Sequence, residues 1–400
     1  MRGRTQRCRS ACGTRTRVCG LRRDGRWRAS DGGTHLRSPL RVPPRRSPRE
    51  KMEIARNRRR CRDGDRGRSS WTMSSVSESS FFIGVDIGRT IRAALVDETG
   101  RVWLQSRVLA ERTDPRAFLA QVIAVLRALR DSEIARGRIA AIGIGWPGLV
   151  GRQTQRIELA SHLVDVTGCD VYGEVHAALG VPLVFENEAN AAAYGEWTCG
   201  VARGLQDVFY VTIGTGIGAA LILDGRLQRG AHGFAGEFGH VKVEPGGIEC
   251  GCGGRGCLET IASGPNIVRR VRERLFSDPA FSLSPLAAQM EGTLTVPLIV
   301  QAALDGDELA RTVLRETGRY FGMAIANVLN LLDVEMVCLG GPVMLAGEIL
   351  LDAVRKEARK HTLRVIFERC RFTSSALGQD AGIVGAAMLA RDAVAAMALP

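Results

Sequence analysis

The most specific chemical pattern in the sequence is a cluster of metal-ligand residues between positions 240 and 257. One histidine and three cysteines follow the spacing His-x9-Cys-x-Cys-x4-Cys, and they are His240, Cys250, Cys252 and Cys257. Three thiolates and one imidazole complete the tetrahedral coordination of Zn²⁺ and leave no position for a reactive water. The pattern therefore predicts one structural zinc ion. The alternative interpretation is a glycine-rich loop that contains reduced cysteines.

A second group of candidates consists of carboxylates. Glu188 lies in the segment Glu-Asn-Glu-Ala-Asn, at a predicted junction between a strand and a helix. A carboxylate there could accept the proton of a hydroxyl group while Asn187 holds a sugar. An ordinary helix N-terminus, where acidic side chains are favourable, is the alternative interpretation. Glu237 and Glu259 lie beside the cysteine cluster, where they could accept hydrogen bonds from paired sugar hydroxyls.

Two glycine-rich turns have the composition of phosphate-binding loops. The N–H groups of a tight turn can donate to an anion, and glycine permits close approach of the backbone. Each turn alone could be an ordinary hairpin, but two such turns at one cleft could hold the phosphates of one nucleotide, with Asp86 binding a hydrated Mg²⁺. The residues are Asp86, Gly88 and Thr90 in the first turn and Gly214, Thr215, Gly216 and Gly218 in the second.

The elements that would position these residues begin at Phe81 and have an α/β pattern. Three apolar strands (FFIGVDIG, IRAALVDETG and RVWLQSRVLA) precede an amphipathic helix predicted over residues 115–135. A second α/β half begins with DVFYVTIGTGIGAALILDG, predicted as a β-hairpin with glycines at its tip. Further helices are predicted around 265–276, 296–304, 307–330, 346–360 and 376–397, with a strand at VEMVCLGG.

The positive charge of the chain is concentrated in its first 72 residues. They hold 23 basic and 6 acidic side chains, whereas the remaining 328 residues have a net charge of −4. Apolar residues do not recur at helix or strand spacing in residues 1–72, so this segment is predicted to be a disordered tail. Met73 is a candidate for the true start of the protein. A nucleic-acid-binding arm is the alternative for the tail. The scattered cysteines and the lack of a membrane-spanning run favour a cytoplasmic protein.

From Phe82 onward the sequence resembles the ROK family (repressor, open reading frame, kinase) of sugar kinases and sugar-responsive repressors. The His-Cys block followed by Glu259 is the most specific part of the resemblance. The segments that carry it occur in the family's order across about residues 82–395: DIGRT, GIGWPG, ENEANAAAYGE, TIGTGIGAALILDG, GAHGFAGEFGH, CGCGGRGCLETIASG, LGGP and LGQDAGIVGAA.

The resemblance implies an actin-like, hexokinase-type fold of two α/β domains with ATP in the cleft between them. We expect a tail over residues 1–80, an N-terminal domain from 81–197 with 377–400, and a larger domain with the zinc loop over 198–376. Glu188 would be the catalytic base, and Asn187, Glu237, His240 and Glu259 would contact the sugar. ATP would lie on the two glycine-rich turns and on Gly340 and Gly341, with Mg²⁺ as a cofactor. A homodimer or homotetramer is also expected.

Four positions depart from the family pattern. Glu188 stands where the family usually has an aspartate base, and Arg89 stands where the first turn usually has a second glycine. His162 replaces an asparagine of the sugar loop, and Pro342 replaces the third glycine of the nucleoside turn. The first departure matters most, because a glutamate at this position resembles family members that bind sugars without phosphorylating them.

Two classes of function follow. The first is an ATP-dependent hexose kinase, with glucose at its 6-hydroxyl as the leading substrate, ahead of N-acetylglucosamine, mannose and fructose. The second is a non-catalytic sugar-sensing regulator, which in this family carries an N-terminal DNA-reading domain. Residues 1–72 contain no helix-turn-helix pattern, and the rest of the chain has no basic excess that would favour nucleic acid. The sequence therefore favours the kinase.

Overall fold

The structure is a computed structural model that describes residues 80–160, 163–289 and 294–398. The predicted tail, the candidate start at Met73 and the substitution at His162 lie outside these residues. The described chain contains two five-stranded sheets and one small hairpin, with helices packed around them. The α/β pattern predicted from Phe81 onward is confirmed.

The first sheet has the strand order β3-β2-β1-β4-β7. An antiparallel unit of three strands is extended by β4 and β7, which run parallel to β1. Most residues of β1 and β4 are buried, as expected for central strands covered on both faces. The strands are β1 (Phe81–Ile87), β2 (Thr90–Val96), β3 (Val102–Leu109), β4 (Ile139–Trp146) and β7 (Leu183–Asn187). The hairpin of β5 (Gly148–Val150) and β6 (Ile157–Ala160) follows β4.

The second sheet has the order β10-β9-β8-β11-β12. It begins like the first sheet, with an antiparallel pair, β8 and β9, which β11 and β12 extend in parallel with β8. The predicted hairpin with glycines at its tip is therefore confirmed. The strands are β8 (Val208–Ile213), β9 (Ile217–Leu223), β10 (Arg226–Leu227), β11 (Met336–Gly340) and β12 (Arg371–Ser374).

Helices pack on both sheets, and their ends follow capping signals in the sequence. The side chain of Asp114 accepts from Arg116 N ahead of Pro115, and that of Asn187 caps the helix that begins at Glu188. The helices are α1 (Pro115–Arg130), α2 (Val171–Leu179), α3 (Glu188–Thr198), α4 (Glu259–Ala262), α5 (Gly264–Ser277), α6 (Val296–Leu304), α7 (Glu308–Leu332), α8 (Glu348–His361), α9 (Arg364–Phe367) and α10 (Ala381–Ala398).

Each sheet has its own apolar core. One core joins β1 and β4 to α1 and α2, and the other joins β8, β9 and β11 to α5, α6, α7 and α8. The helix α10 closes the first sheet by packing on β1, β4 and α3. The segment Gly378–Ala398 has the length and apolar composition of a membrane span, but every residue from Ala381 to Ala390 is buried against these elements. It is therefore a core helix of the described fold.

Two predicted helix boundaries are wrong. The helix predicted over 115–135 ends at Arg130, where Asp131 caps it and a turn follows. The helix predicted over 376–397 begins at Ala381, because a turn at Gly378, with φ of 56°, precedes it. The short elements β5, β6, β10, β12, α2 and α9 were not predicted, since segments this short show little periodicity.

Candidate functional site

The candidate residues are gathered by the carboxyl ends of parallel strands. Asp86 is near the end of β1, Asn187 ends β7, and Gly340 ends β11. Ligands of open α/β sheets bind at this edge, because the loops there leave the strands in one direction. The topology of the two sheets thus places Asp86, Asn187 and the glycine-rich turns, whereas the residues around the cysteine cluster lie in the long segment between β10 and α4.

The first turn joins β1 to β2. Gly88 N donates to Thr90 O at 3.1 Å, which closes the turn, and Arg89 is exposed at its tip. The carboxylate of Asp86 accepts a hydrogen bond from the guanidinium of Arg92, its cross-strand partner. Burial raises the pKa of Asp86, although the charge of Arg92 opposes the shift. Asp86 is thus already paired with a cation at the position where Mg²⁺ is predicted.

The second turn joins β8 to β9 and contacts the predicted nucleoside turn. Gly214 N donates to Gly216 O at 2.9 Å, and Gly214 O accepts from the N-terminal residue of α5, Gly264, at 2.8 Å. Gly341 has φ of 88°, and a Cβ there would lie 2.6 Å from Ile213 N. This position requires glycine both for its backbone conformation and for its packing. The structure therefore places Gly214, Gly340 and Gly341 side by side.

Glu188 begins α3 between the two halves of the site. Asn187 Oδ1 accepts from the N–H groups of Ala189 and Asn190, and its Nδ2 donates to Glu188 Oε2 at 3.0 Å and to Gly148 O at 3.0 Å. The N-cap side chain thus also orients the candidate base. A Cβ on Gly218 would lie 2.8 Å from Ala189 Cβ, so the second turn packs directly on the first turn of α3.

Glu188 is influenced by two other carboxylates, those of Asp86 and Glu237. The pKa of Glu188 is raised to about 8, mainly because burial disfavours its charged form, and also because Asp86 and Glu237 are negatively charged neighbours. Burial raises the pKa of Glu237 as well. The structure thus brings together one residue from each of three separate motifs. A carboxylate with a pKa near the working pH is suited to accept and release a proton.

The other predicted sugar-binding residues lie beside the second turn. Glu259, at the start of α4, accepts a hydrogen bond from Ile217 N through Oε2 at 2.9 Å. His240 Nε2 lies 3.7 Å from Glu237 Oε2. The side chains of Glu237 and His240 are 47% and 35% exposed, which leaves them accessible to a ligand. The predicted sugar-binding residues therefore come from two places. Glu237, His240 and Glu259 follow strands of the second sheet in the chain, and Asn187 caps α3.

The four predicted zinc ligands converge. One ligand atom from each of His240, Cys250, Cys252 and Cys257 lies within 4.8 Å of every other. The Sγ atoms of Cys252 and Cys257 are 3.7 Å apart, close to the separation of about 3.8 Å between two thiolates on a tetrahedral zinc ion. His240 Nδ1 faces Cys250 Sγ at 3.7 Å. The residues therefore fit a Zn²⁺ ion that would be bound through Nδ1, with Nε2 directed toward Glu237.

Several residues of the site were missed in the sequence. Arg92 pairs with Asp86, and its position opposite Asp86 in an antiparallel pair could have indicated this. Glu186 is 6% exposed and accepts hydrogen bonds from Asn190 Nδ2 and from Arg229 Nε. Arg229 follows β10 of the second sheet, so this ion pair links the two sheets beside the candidate base. No local pattern of the sequence indicates the pairing of residues 43 positions apart.

Comparisons with known proteins agree with this geometry. The model of the ROK family matches residues 82–393. A glucokinase of Streptomyces coelicolor is 36% identical over 315 residues, which cover 78% of this chain and 97% of that protein. The crystal structure of a ROK family glucokinase from Streptomyces griseus, in complex with glucose and AMPPNP, is similar with a TM-score of 0.71 at 34% identity, covering 78% of this chain and 100% of that one.

A regulator of the same family is nearly as similar in structure. The crystal structure of a ROK family transcriptional regulator, a homologue of the E. coli Mlc protein, has a TM-score of 0.70 at 30% identity. The match covers 77% of this chain and 77% of that chain. These likenesses confirm the predicted actin-like α/β fold class. They also show that this fold serves both enzymes and regulators.

Proposed function

The chain belongs to the ROK family, and on that premise we propose that it is a kinase that transfers the γ-phosphoryl group of ATP to a hexose. Glucose, at its 6-hydroxyl, is the first candidate substrate. The observation that carries the proposal is Glu188, whose pKa is raised to about 8 by burial and by the charges of Asp86 and Glu237, and whose helix packs on the second glycine-rich turn.

Each part of the site has a role in this proposal. Phosphoryl transfer depends mainly on positioning and on charge neutralisation. Glu188 would take the proton of the attacking hydroxyl while Asn187 orients it. Glu237, Glu259 and His240 would bind the sugar. The two glycine-rich turns with Gly340 and Gly341 would hold ATP, and Mg²⁺ near Asp86 would neutralise its phosphates.

The zinc loop would support the sugar side of the site. His240 can ligate Zn²⁺ through Nδ1 and still present Nε2 to Glu237 and a sugar hydroxyl. The ammonium group of Lys242 lies 2.7 Å from Cys257 Sγ, and so could offset the negative charge of three thiolates. We propose a structural role for this ion, together with domain boundaries at residues 197/198 and 376/377, a cytoplasmic location and a homodimer or homotetramer.

The second candidate function is a sugar-sensing regulator without catalysis. It is favoured by the glutamate at position 188, by Arg89 in the first turn, and by the similarity to the Mlc-like regulator. The match covers all of the S. griseus glucokinase and 77% of the regulator's chain.

A coupled assay of ADP production over glucose, N-acetylglucosamine, mannose and fructose tests the proposal. We expect turnover with at least one hexose and none with the Glu188→Gln variant. Calorimetric titration of the same sugars distinguishes the alternatives, because a regulator would bind sugar without turnover. Sugar binding without phosphorylation by the wild type and by Glu188→Asp would overturn the kinase.

A further inference from the structure

A second glutamate of α3, Glu196, is almost completely buried near the C-terminal end of the helix. Its residue exposure is 1%. Oε1 accepts hydrogen bonds from Ser375 Oγ and from Leu377 N, the latter at 2.7 Å, and Oε2 accepts from Val201 N at 2.9 Å. A buried carboxylate is costly unless such donors compensate for lost water, and here three donors converge on two oxygens.

The three donors belong to the two segments by which the described chain passes between its sheets. Residues 199–207 lead from α3 to β8, the first strand of the second sheet in the chain. Residues 375–380 lead from β12 back to α10, which packs on β1 and β4 of the first sheet. Val201 lies in the first crossing, and Ser375 and Leu377 lie in the second. The side chain of Glu196 therefore bridges both crossings.

The position of Glu196 on α3 connects this bridge to the catalytic end of the site. Glu188 and Glu196 are on the same rigid helix, separated by about 12 Å along its axis at 1.5 Å per residue. The helix contacts β8 and β9 of the second sheet as well as β4, β7 and α10. A change at the crossings would therefore alter how the glycine-rich hairpin of the second sheet meets Glu188.

We propose that Glu196 is a positioning residue that sets the relative orientation of the two halves of the molecule, and thereby the fraction of molecules whose cleft is formed for ligand binding. It acts through the Ser375 hydroxyl and two backbone N–H groups of the crossings, and it does not touch substrate. This inference rests on the proposed binding of sugar and nucleotide in the cleft, but not on phosphoryl transfer.

The proposal predicts a specific pattern of ligand affinities. When only a fraction of molecules is competent to bind, the apparent dissociation constant of every ligand of that state rises by the same factor. Loss of the Glu196 bridge should therefore weaken a sugar and a nucleotide equally, although they contact different residues. Turnover at saturation should change little, because bound ligands restore the competent orientation.

The Glu196→Gln variant tests this, because the amide retains one acceptor oxygen and turns an NH₂ group toward the donors of one crossing. We expect the dissociation constants of glucose and of a non-hydrolysable ATP analogue to rise by a common factor of about ten, with kcat within about twofold. Hydrogen–deuterium exchange should become faster in both crossings, at residues 199–207 and 375–380. The exchange readout does not depend on any activity.

A matched control is Glu335→Gln. Glu335 also accepts from two backbone N–H groups, those of Gln206 and Asp207, at 2.7 and 3.1 Å, but both belong to one crossing. The Glu335→Gln variant should leave the affinities for the sugar and for the ATP analogue unchanged. Ser375→Ala removes one donor and keeps the charge of Glu196. It should weaken the binding of sugar and of nucleotide by a common but smaller factor. This variant replaces Glu196→Gln if Glu196→Gln does not fold.

Three outcomes would overturn the proposal. One is faster exchange confined to a single crossing with unchanged affinities, and another is an equal effect of Glu335→Gln. The third is a fall in kcat at unchanged affinity. If the wild type binds sugar or nucleotide but does not transfer phosphate, only the proposed kinase fails and the affinity test still applies. If the wild type binds neither ligand, both proposals fail, and the exchange data then report only whether the crossings are coupled.

Discussion

At the scale of single residues, the site is defined by the surroundings of Glu188. Its carboxylate accepts a hydrogen bond from its own N-cap residue, Asn187, and is close enough to Asp86 and Glu237 for their charges to raise its pKa. Arg92 and Arg229 each neutralise one neighbouring acid, Asp86 and Glu186. Glu188 itself has no cationic partner among these described contacts, which suits a group that must exchange a proton.

Substitutions at Glu188 should separate catalysis from binding. Glu188→Gln should abolish turnover and leave sugar affinity nearly unchanged, since the amide is similar in shape but cannot take a proton. Glu188→Asp should lower the rate by about a hundredfold, because a carboxylate displaced by about 1 Å no longer meets the hydroxyl. Kinetics and sugar titration of wild type and both variants provide the measurement. A faster Glu188→Asp enzyme would mean that the wild-type glutamate is badly placed.

The raised pKa of Glu188 also predicts the pH dependence of the reaction. A general base works only when deprotonated, so kcat/KM for the sugar should rise with pH and level off above an apparent pKa of about 8. A kcat/KM that stays constant between about pH 6 and pH 9 would exclude Glu188 as the titrating base.

At the scale of elements, the loop with the zinc cluster and the short helix α4 support the site from the second sheet. The zinc-loop residues lie on one side of Glu237, and α4 places Glu259 against the backbone of Ile217 at the second turn. The second glycine-rich turn also packs on α3, through Gly218. The candidate base therefore depends on an element of the opposite sheet for its surroundings.

Removal of the metal should loosen the sugar side of the site. Cys252→Ser should bind less than one zinc per chain, unfold at a lower temperature and bind sugar more weakly. The reason is that the loop that carries His240 and flanks Glu237 is no longer held together by the metal. Metal content, thermal unfolding and sugar titration measure these effects. Cys370→Ser, which changes a cysteine outside the cluster, is the control. A zinc-free preparation with full sugar affinity would contradict the structural role.

A methyl group at Gly218 should separate the second turn from α3. The added Cβ would lie 2.8 Å from Ala189 Cβ and 3.2 Å from Thr212 Cγ2, so the hairpin must move. We expect Gly218→Ala to weaken ATP binding and to lower kcat by at least about tenfold. Gly168→Ala, where an added Cβ also has no neighbour within 4 Å and which lies outside the candidate site, is the matched control for steric effects. Equal kinetics of Gly218→Ala and wild type would show that this close contact is unimportant.

At the scale of the whole molecule, the two sheets repeat one design. Each begins with an antiparallel β-turn-β unit that has glycine in its turn, and each continues with parallel strands. The hydrophobic cores of the described chain are formed by residues between Phe81 and Ala390. The sequence from residue 73 onward has a net charge of −4, in contrast to the strongly basic segment before it.

Deletion of residues 1–72 should leave folding and sugar binding intact. The described residues form both sheets and their cores, and the sequence of residues 1–72 has no apolar pattern that would add to them. The thermal unfolding midpoint and the sugar dissociation constant of the truncated chain should match those of the full chain. Insolubility or weaker sugar binding after truncation would show that the segment is part of the fold.

The sequence by itself determined the α/β class, the long helices, the two glycine-rich turns and the cluster of four candidate zinc ligands. These features are local, because periodicity, turn residues and short spacings act within a few positions of the chain. It could not predict the short elements β5, β6, α2 and β12, whose stability comes from the sheets and helices on which they pack.

Only the tertiary structure decided which charged groups meet. The pairing of Arg229 with Glu186, the proximity of Asp86 and Glu237 to Glu188, and the bridge from Glu196 to Ser375 and Leu377 all join distant parts of the chain. Such contacts depend on how two sheets are oriented and on what each side chain loses in hydration. Neither quantity is encoded by local pattern, so the raised pKa of the candidate base and the hydrogen bonds from both crossings to Glu196 are visible only in the folded molecule.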